Sequence, residues 1–243
     1  MKDDNALILN HACIARSVWK MELKTEIASE VKPGQFVQVE VPEYFLRRPI
    51  SVCSHTDDSI VLVYRVSGDG TNVMSHMNAG EMIHIFGPLG NGYPLENSDV
   101  LLLGGGVGVP PLLGAAQAYA ANGHKVTAVL GFNSKDDIIL DEEFRRIGCT
   151  VFIATMDGSC GTKGTVMDAI EEHQVKEDYV LGCGPLPMLK SVSKTYTHGF
   201  LSLEARMACG IGACMGCVVK DTEGNSLRVC KDGPVFPIGK VAL

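Results

Sequence analysis

Apolar and polar positions follow two different rhythms along this chain. Up to residue 97 the apolar residues come in short alternating or β-branched runs, FVQVEV (36–41), SIVLVYRV (59–66) and EMIHIFG (81–87), with a further strand after Arg47-Arg48-Pro49. Alternation of period two marks a strand with one face buried. Pro33-Gly34 and Gly68-Asp69-Gly70 punctuate the runs, so the stretch predicts a small antiparallel β-barrel or sandwich. A short helix is expected over NVMSHM, with Thr71 as its N-cap.

From residue 98 strand-like and helix-like segments alternate. VLLLGGG (100–106) reads as a buried strand running into a glycine-rich turn, and VPPLLGAAQAYAANG (109–123) as a helix closed by Gly123. Strands at 125–132, 150–157 and 178–184 and helices at 141–148, 165–173 and 185–196 continue the rhythm. Repeated β-α units resolve as a doubly wound parallel sheet. The segment GNGYPLENSD (90–99) reads as a linker. Three units are expected: a β-barrel over 1–97, an α/β domain over 98–202 and a small C-terminal subdomain over 203–243.

Composition narrows the function classes. The chain has 243 residues and a formal charge of −7, which disfavours nucleic acid or an anionic membrane as a partner. No apolar run reaches the roughly 18 residues of a membrane span. The N-terminal stretch has early acids and no apolar core of a signal peptide. A cytoplasmic address is expected. In a reducing compartment nine cysteines are not a disulfide framework. Four of them crowd into ACGIGACMGCVV (208–219) and LRVCKDGPVF (227–236), as Cys209, Cys214, Cys217 and Cys230.

Their spacing is C-x4-C-x2-C-x12-C. C-x4-C-x2-C is the plant-type spacing for a [2Fe–2S] cluster, in which each iron takes two thiolates. Gly210, Gly212 and Gly216 suit a loop whose amides must approach sulfur. Structural zinc is the competing ligand, but zinc sites pair two cysteine knuckles and here the last cysteine stands alone, so the spacing favours iron. Cys13, Cys53, Cys149 and Cys160 are expected to be small buried apolar side chains, Trp19 a core or interface residue, and Glu204 with Arg206 a structural ion pair beside the cysteine loop. The seven histidines show no ligand spacing, and the acidic 141–143 stretch suits a helix N-terminus.

Two further motifs carry a resemblance. LRRPISV (46–52), VYR (63–65) and Gly70-Thr71 resemble the flavin-binding face of the ferredoxin–NADP reductase superfamily, with Ile50 where that family carries an aromatic. Gly106-x-Gly108 followed by Pro111, and Cys183-Gly184 with Met188, are similar to that family's nicotinamide turns. Taken with EARMACGIGACMGC and CKDGPVF, the whole chain resembles the electron-transfer subunits of type B dihydroorotate dehydrogenases.

The resemblance implies FAD on Arg48, Pro49, Ile50, Ser51, Val63, Tyr64, Arg65, Gly70 and Thr71, with Ser51 near the flavin N5. It implies NAD on Gly104, Gly105, Gly106, Gly108, Cys183, Gly184 and Met188, with Cys183 bordering the nicotinamide, and a [2Fe–2S] cluster on the four cysteines. NAD over NADP comes from the resemblance alone, since no diagnostic acidic residue stands out after 125–132. It further implies an FMN-containing catalytic subunit as partner, in a heterotetramer of two copies of each chain, with electrons passing from that FMN through the cluster and FAD to NAD+ in pyrimidine biosynthesis. On its own the chain is then expected to show only NADH diaphorase activity. Two readings compete: a related reductase subunit serving another acceptor, such as sulfite or glutamate synthase-type chemistry, and a redox- or metal-sensing module without a tightly bound flavin.

Overall fold

A computed structural model describes residues 1–243. Six strands, β1 (Lys2–Ala15), β2 (Val18–Lys24), β3 (Phe36–Val39), β4 (Arg48–His55), β5 (Ser59–Arg65) and β6 (Met82–Leu89), close into an antiparallel barrel in the order β1-β2-β5-β4-β3-β6. The barrel is as the alternation predicts, but its first two strands carry no clean signal. β1 is irregular between Ile8 and Asn10 and again between Cys13 and Ala15, and each shift moves the apolar set to the other face.

The helix α1 (Asp69–Met74) follows β5. Thr71 is not its N-cap, as the sequence suggested, but lies in its first turn. Its Oγ1 accepts from the amides of Ser67 (3.0 Å) and Gly68 (3.2 Å) and donates to the Gly68 carbonyl (2.9 Å). The hydroxyl therefore folds the turn back on itself.

The second unit alternates β7 (Val100–Gly105), α2 (Pro110–Ala121), β8 (Val126–Phe132), α3 (Asp141–Arg146), β9 (Thr150–Thr155), β10 (Thr162–Lys163), α4 (Val166–Glu172), β11 (Val180–Cys183), α5 (Leu186–Thr195) and β12 (Gly199–Ser202). After a small hairpin, β13 (Val218–Lys220) with β14 (Ser226–Arg228), and the turn α6 (Val229–Asp232), the strand β15 (Val235–Pro237) returns to the sheet. The order is β10-β9-β8-β7-β11-β12-β15, parallel except for β15. It reverses direction between β7 and β11, and open α/β sheets bind ligands at that switch point, beyond the C-terminal strand ends.

The stretch 90–99 is no free linker. Asn91 clasps Val235 through both amide atoms (Nδ2 to its carbonyl 2.7 Å, its amide to Oδ1 3.0 Å). Tyr93 is buried and points its hydroxyl at the Gly182 carbonyl. Tyr119 accepts from the Glu96 amide, and Tyr179 donates to the Pro94 carbonyl. Units separated in sequence also share cores. Val18, Cys53 and Val63 of the barrel pack with α2, and Phe36 and Leu89 with Cys217, Val229 and Cys230. Cys53 and Cys149 are buried as expected, but Cys13 and Cys160 are exposed, the first beside the second β1 irregularity and the second in the turn after β9. No helix is long and apolar enough to cross a membrane.

Candidate functional site

Two cavities meet between barrel and sheet. The first, of about 380 Å³, is lined by Arg48, Pro49, Ile50 and Ser51 on β4, Val63, Tyr64 and Arg65 on β5, and Thr71 on α1, with Cys183 and Glu204 opposite. Gly70 does not line it but explains its shape: a Cβ there would collide with the Arg48 guanidinium, which rests over the bare backbone. Arg48 also stacks 4.4 Å above the Tyr44 ring and donates to the Leu46 carbonyl. A planar cation held over a tight turn at a helix start suits a pyrophosphate. Tyr64 is held from behind. His11 Nδ1 donates to the Met77 carbonyl (2.8 Å), and its Nε2 shares a hydrogen bond with the Tyr64 hydroxyl (2.9 Å).

The second cavity, of about 410 Å³, lies at the switch point. Gly105, Gly106, Gly108, Gly184 and Met188 line it, together with Phe132, Asn133, Asp137, Met156 and Thr165. Arg65, Val107 and Glu204 border both cavities. Cys183 lines the first rather than the second, because it ends β11 on the barrel side. Its thiol, pushed up to about 12 by burial, stays protonated and packs as a neutral group. Gly104 lines neither cavity: a Cβ there would press on Val109 at 2.8 Å, so its bareness serves the packing of the turn.

Asp137 was not singled out in the sequence, although it lies five residues beyond the end of β8. In dinucleotide folds an acid in this region pairs with the adenosine ribose hydroxyls. Ser134 Oγ holds the Asp137 carboxylate at 3.0 Å, and the only cation on the cavity wall is Arg65. Glu204 forms no ion pair with Arg206, contrary to expectation. Its side chain keeps an accessible face but is walled by the cleft, and that desolvation raises its carboxyl above the usual carboxylate range.

The segment Leu203–Met207 forms one wall of the first cavity, and Cys209 follows two residues later. Cys217 and Cys230 are buried, Cys209 is half-buried and Cys214 is exposed. The Cys214 amide donates to Cys209 Sγ, the Gly216 amide to Cys214 Sγ and the Cys230 amide to Cys217 Sγ, each at 3.4 Å. Four thiols with backbone amides aimed at sulfur suit the donor set of a [2Fe–2S] cluster, in which each iron takes two thiolates.

Against desolvation, which pushes it up, the amides of Ile211, Cys214 and Ala213 hold the Cys209 thiol down at about 6, while burial beside Cys217 raises Cys230 to about 12. Two of the loop glycines are demanded by neighbours: a Cβ on Gly210 would meet Gln38, and one on Gly212 would meet Lys231, whereas Gly216 has room. Arg228 ties the loop to the turn α6 that carries Cys230, donating from Nη1 to the Gly212 carbonyl (3.1 Å) and, through Nε (3.1 Å) and Nη2 (3.2 Å), to Asp232.

A barrel that cradles a flavin, a parallel sheet with a dinucleotide cleft at its switch point and a four-cysteine loop and turn define an NAD-linked flavin and iron–sulfur oxidoreductase. Comparison with known proteins narrows the class. Residues 204–242 match the iron-sulfur cluster binding domain of dihydroorotate dehydrogenase B, and residues 102–194 the oxidoreductase NAD-binding domain. The dihydroorotate dehydrogenase B (NAD(+)) electron transfer subunits of Bacillus cereus (strain B4264) and Bacillus mycoides (strain KBAB4) are 41% and 40% identical, covering 100% of both chains.

Among solved structures, a chain of the NADH-dependent reduced ferredoxin-NADP oxidoreductase matches with a TM-score of 0.89 at 32% identity, over 98% of this chain and 89% of that one. The FAD/NAD binding domain of nitric oxide dioxygenase from Vibrio cholerae shares the fold, with a TM-score of 0.69 at 17% identity over 79% of this chain and 91% of that one. The chain belongs to the family of dihydroorotate dehydrogenase B electron transfer subunits.

Proposed function

We propose that this chain is the electron-transfer half of a two-subunit dihydroorotate:NAD+ oxidoreductase in pyrimidine biosynthesis, partnered by an FMN-containing catalytic subunit. The observation that carries the reading is the Leu203–Met207 wall, which lines the flavin cavity and leads directly into Cys209, so that the three sites stand in series. When bound, the cluster supplies single-electron carriage and the flavin converts two such electrons into a hydride for NAD+.

The chain's own residues do the rest. Arg48 would hold the FAD pyrophosphate over Gly70, while the β4 and β5 edges at Pro49–Ser51 and Val63–Arg65 cradle the remainder, with Ser51 toward N5. Gly105, Gly106, Gly108 and Gly184 would let the NAD pyrophosphate approach bare backbone, and Met188 and Cys183 wall the junction with neutral side chains. Cys209, Cys214, Cys217 and Cys230 would ligate the cluster, with the Cys214 side exposed toward the partner. The division at 1–97, 98–202 and 203–243 assigns one cofactor to each unit. A cytoplasmic address and two copies of each subunit complete the proposal.

Purified alone, the chain should reduce dyes with NADH but form no orotate. With the FMN-containing partner it should couple dihydroorotate oxidation to NAD+ reduction, and failure of that coupling would sink the reading. The likeness to the reduced ferredoxin-NADP oxidoreductase chain favours a second one, a subunit serving another acceptor. Reduced ferredoxin in place of dihydroorotate and partner would then drive NAD+ reduction.

Asp137 gives a further expectation. A 2′-phosphate beside its carboxylate would be repelled. The substitution Asp137→Ser should shift the NADH/NADPH ratio of kcat/KM toward NADPH by about tenfold in the dye assay. An unchanged ratio would remove Asp137 from the ribose site.

A further inference from the structure

Gln38 is misplaced by the ordinary rules of a barrel wall. In β3 the side chains alternate, so Val37 and Val39 enter the barrel core while Phe36 and Gln38 face outward. An outward glutamine should be wet, yet Gln38 is only 1% exposed. What covers it is the cysteine loop. Gln38 Nε2 donates to the Ala208 carbonyl at 3.3 Å, across 170 residues of sequence. A Cβ on Gly210 would stand 2.7 Å from Nε2 and 3.0 Å from Cγ, and Gly210 itself has φ +71°. Ala208, Cys209 and Gly210 thus saddle one buried amide.

The same side chain leans on the flavin side. Gln38 is in register with Pro49, and Phe36, on its face, lines the flavin cavity. Its Oε1 is sealed from water and accepts no hydrogen bond. An amide buried with its acceptor unused is less favourable than an apolar side chain of the same shape. A methionine would pack this wall without that cost, so packing alone does not account for glutamine here.

We propose that Gln38 is a positioning residue of the electron relay. Its N–H anchors the first turn of the cysteine loop to the flavin barrel, and its Oε1 takes a backbone N–H of the loop when the loop closes around the cluster, which sets Cys209 against the flavin cavity. The inference rests on the assignment of the four cysteines as cluster ligands.

The test uses the complete two-subunit complex with Gln38→Met, which keeps the shape and removes the amide, and Gln38→Leu, which removes the amide with a branched apolar side chain. Losing the anchor and orphaning the Ala208 carbonyl should make iron release to a ferrous chelator about tenfold faster in both variants. The electron paramagnetic resonance line positions of the reduced cluster should also shift, with FAD content retained. Unchanged release and line positions would overturn the proposal. A lower Tm with the cluster signature untouched would overturn it too, by reducing Gln38 to packing. Iron and sulfide measured on the unaltered protein keep the two readings apart: their absence would overturn the cluster assignment and this inference with it.

Discussion

Replacing Cys230 by serine should leave a folded flavoprotein that no longer passes electrons from dihydroorotate to NAD+. Cys230 is 2% exposed, sits in the short turn α6 and gives its amide to Cys217 Sγ. A serine fits that volume, so the shared core with Phe36 and Leu89 survives. It offers a hard, protonated oxygen where iron needs a thiolate. Losing even a supporting residue of a metal site costs about 10–100-fold in affinity or activity, so losing a ligand should lower dihydroorotate:NAD+ turnover by at least about 100-fold.

Iron, sulfide and the broad visible absorbance should fall together. FAD content and NADH–dye activity should persist, because the flavin cavity draws nothing from α6. Cys13→Ser is the matched control: Cys13 is exposed on β1 and should change neither quantity. Equal cluster content in the two variants would remove Cys230 from the ligand set.

The contrast between those two cysteines shows what one-dimensional reading can reach. A cluster loop would draw three ligands from nine successive residues, so its chemistry is written locally, in the spacing. Turns rich in glycine are local as well, and both turns the sequence points to reach the switch-point cavity, through Gly105, Gly106 and Gly108 and through Gly184 and Met188. Gln38, Glu204 and Asp137 were not, because each owes its role to what folds against it. Gln38 in FVQVEV reads as an ordinary solvent-facing position until residues 170 further on cover it. Glu204 has an arginine two residues away in sequence and faces a cavity instead. The linker failed for the same reason. Its Gly, Pro and Asn content is that of a free segment, but Tyr93, Tyr119 and Tyr179 make bonds that tie it down.

Gly108→Ala is expected to give the second large effect, through backbone rather than through a ligand. The turns after β7 and β11 meet at this residue. A Cβ on Gly108 would strike the Cys183 carbonyl and come within 2.6 Å of the Gly184 amide nitrogen. Neither atom is the tip of a side chain that could swing away. The β7 and β11 turns must therefore part at the switch point, where the cleft is formed.

Overpacking of this kind costs about 1–3 kcal/mol, which for a chain of this size lowers Tm by about 3–10 °C. The larger consequence is functional: with the two turns spread, KM for NADH in the dye assay should rise at least about tenfold, since misplacing a binding frame by 1 Å can cost up to 100-fold. FAD content should not fall, because Gly108 lines only the second cavity. Gly123→Ala separates the two causes. Gly123 closes α2 away from both cavities and has φ +81° with open space around its Cβ position, so alanine there meets only the left-handed backbone penalty of about 1 kcal/mol. A Gly108→Ala protein that matched Gly123→Ala in both Tm and KM would mean that the two turns tolerate separation, and that the cleft is not built on their contact.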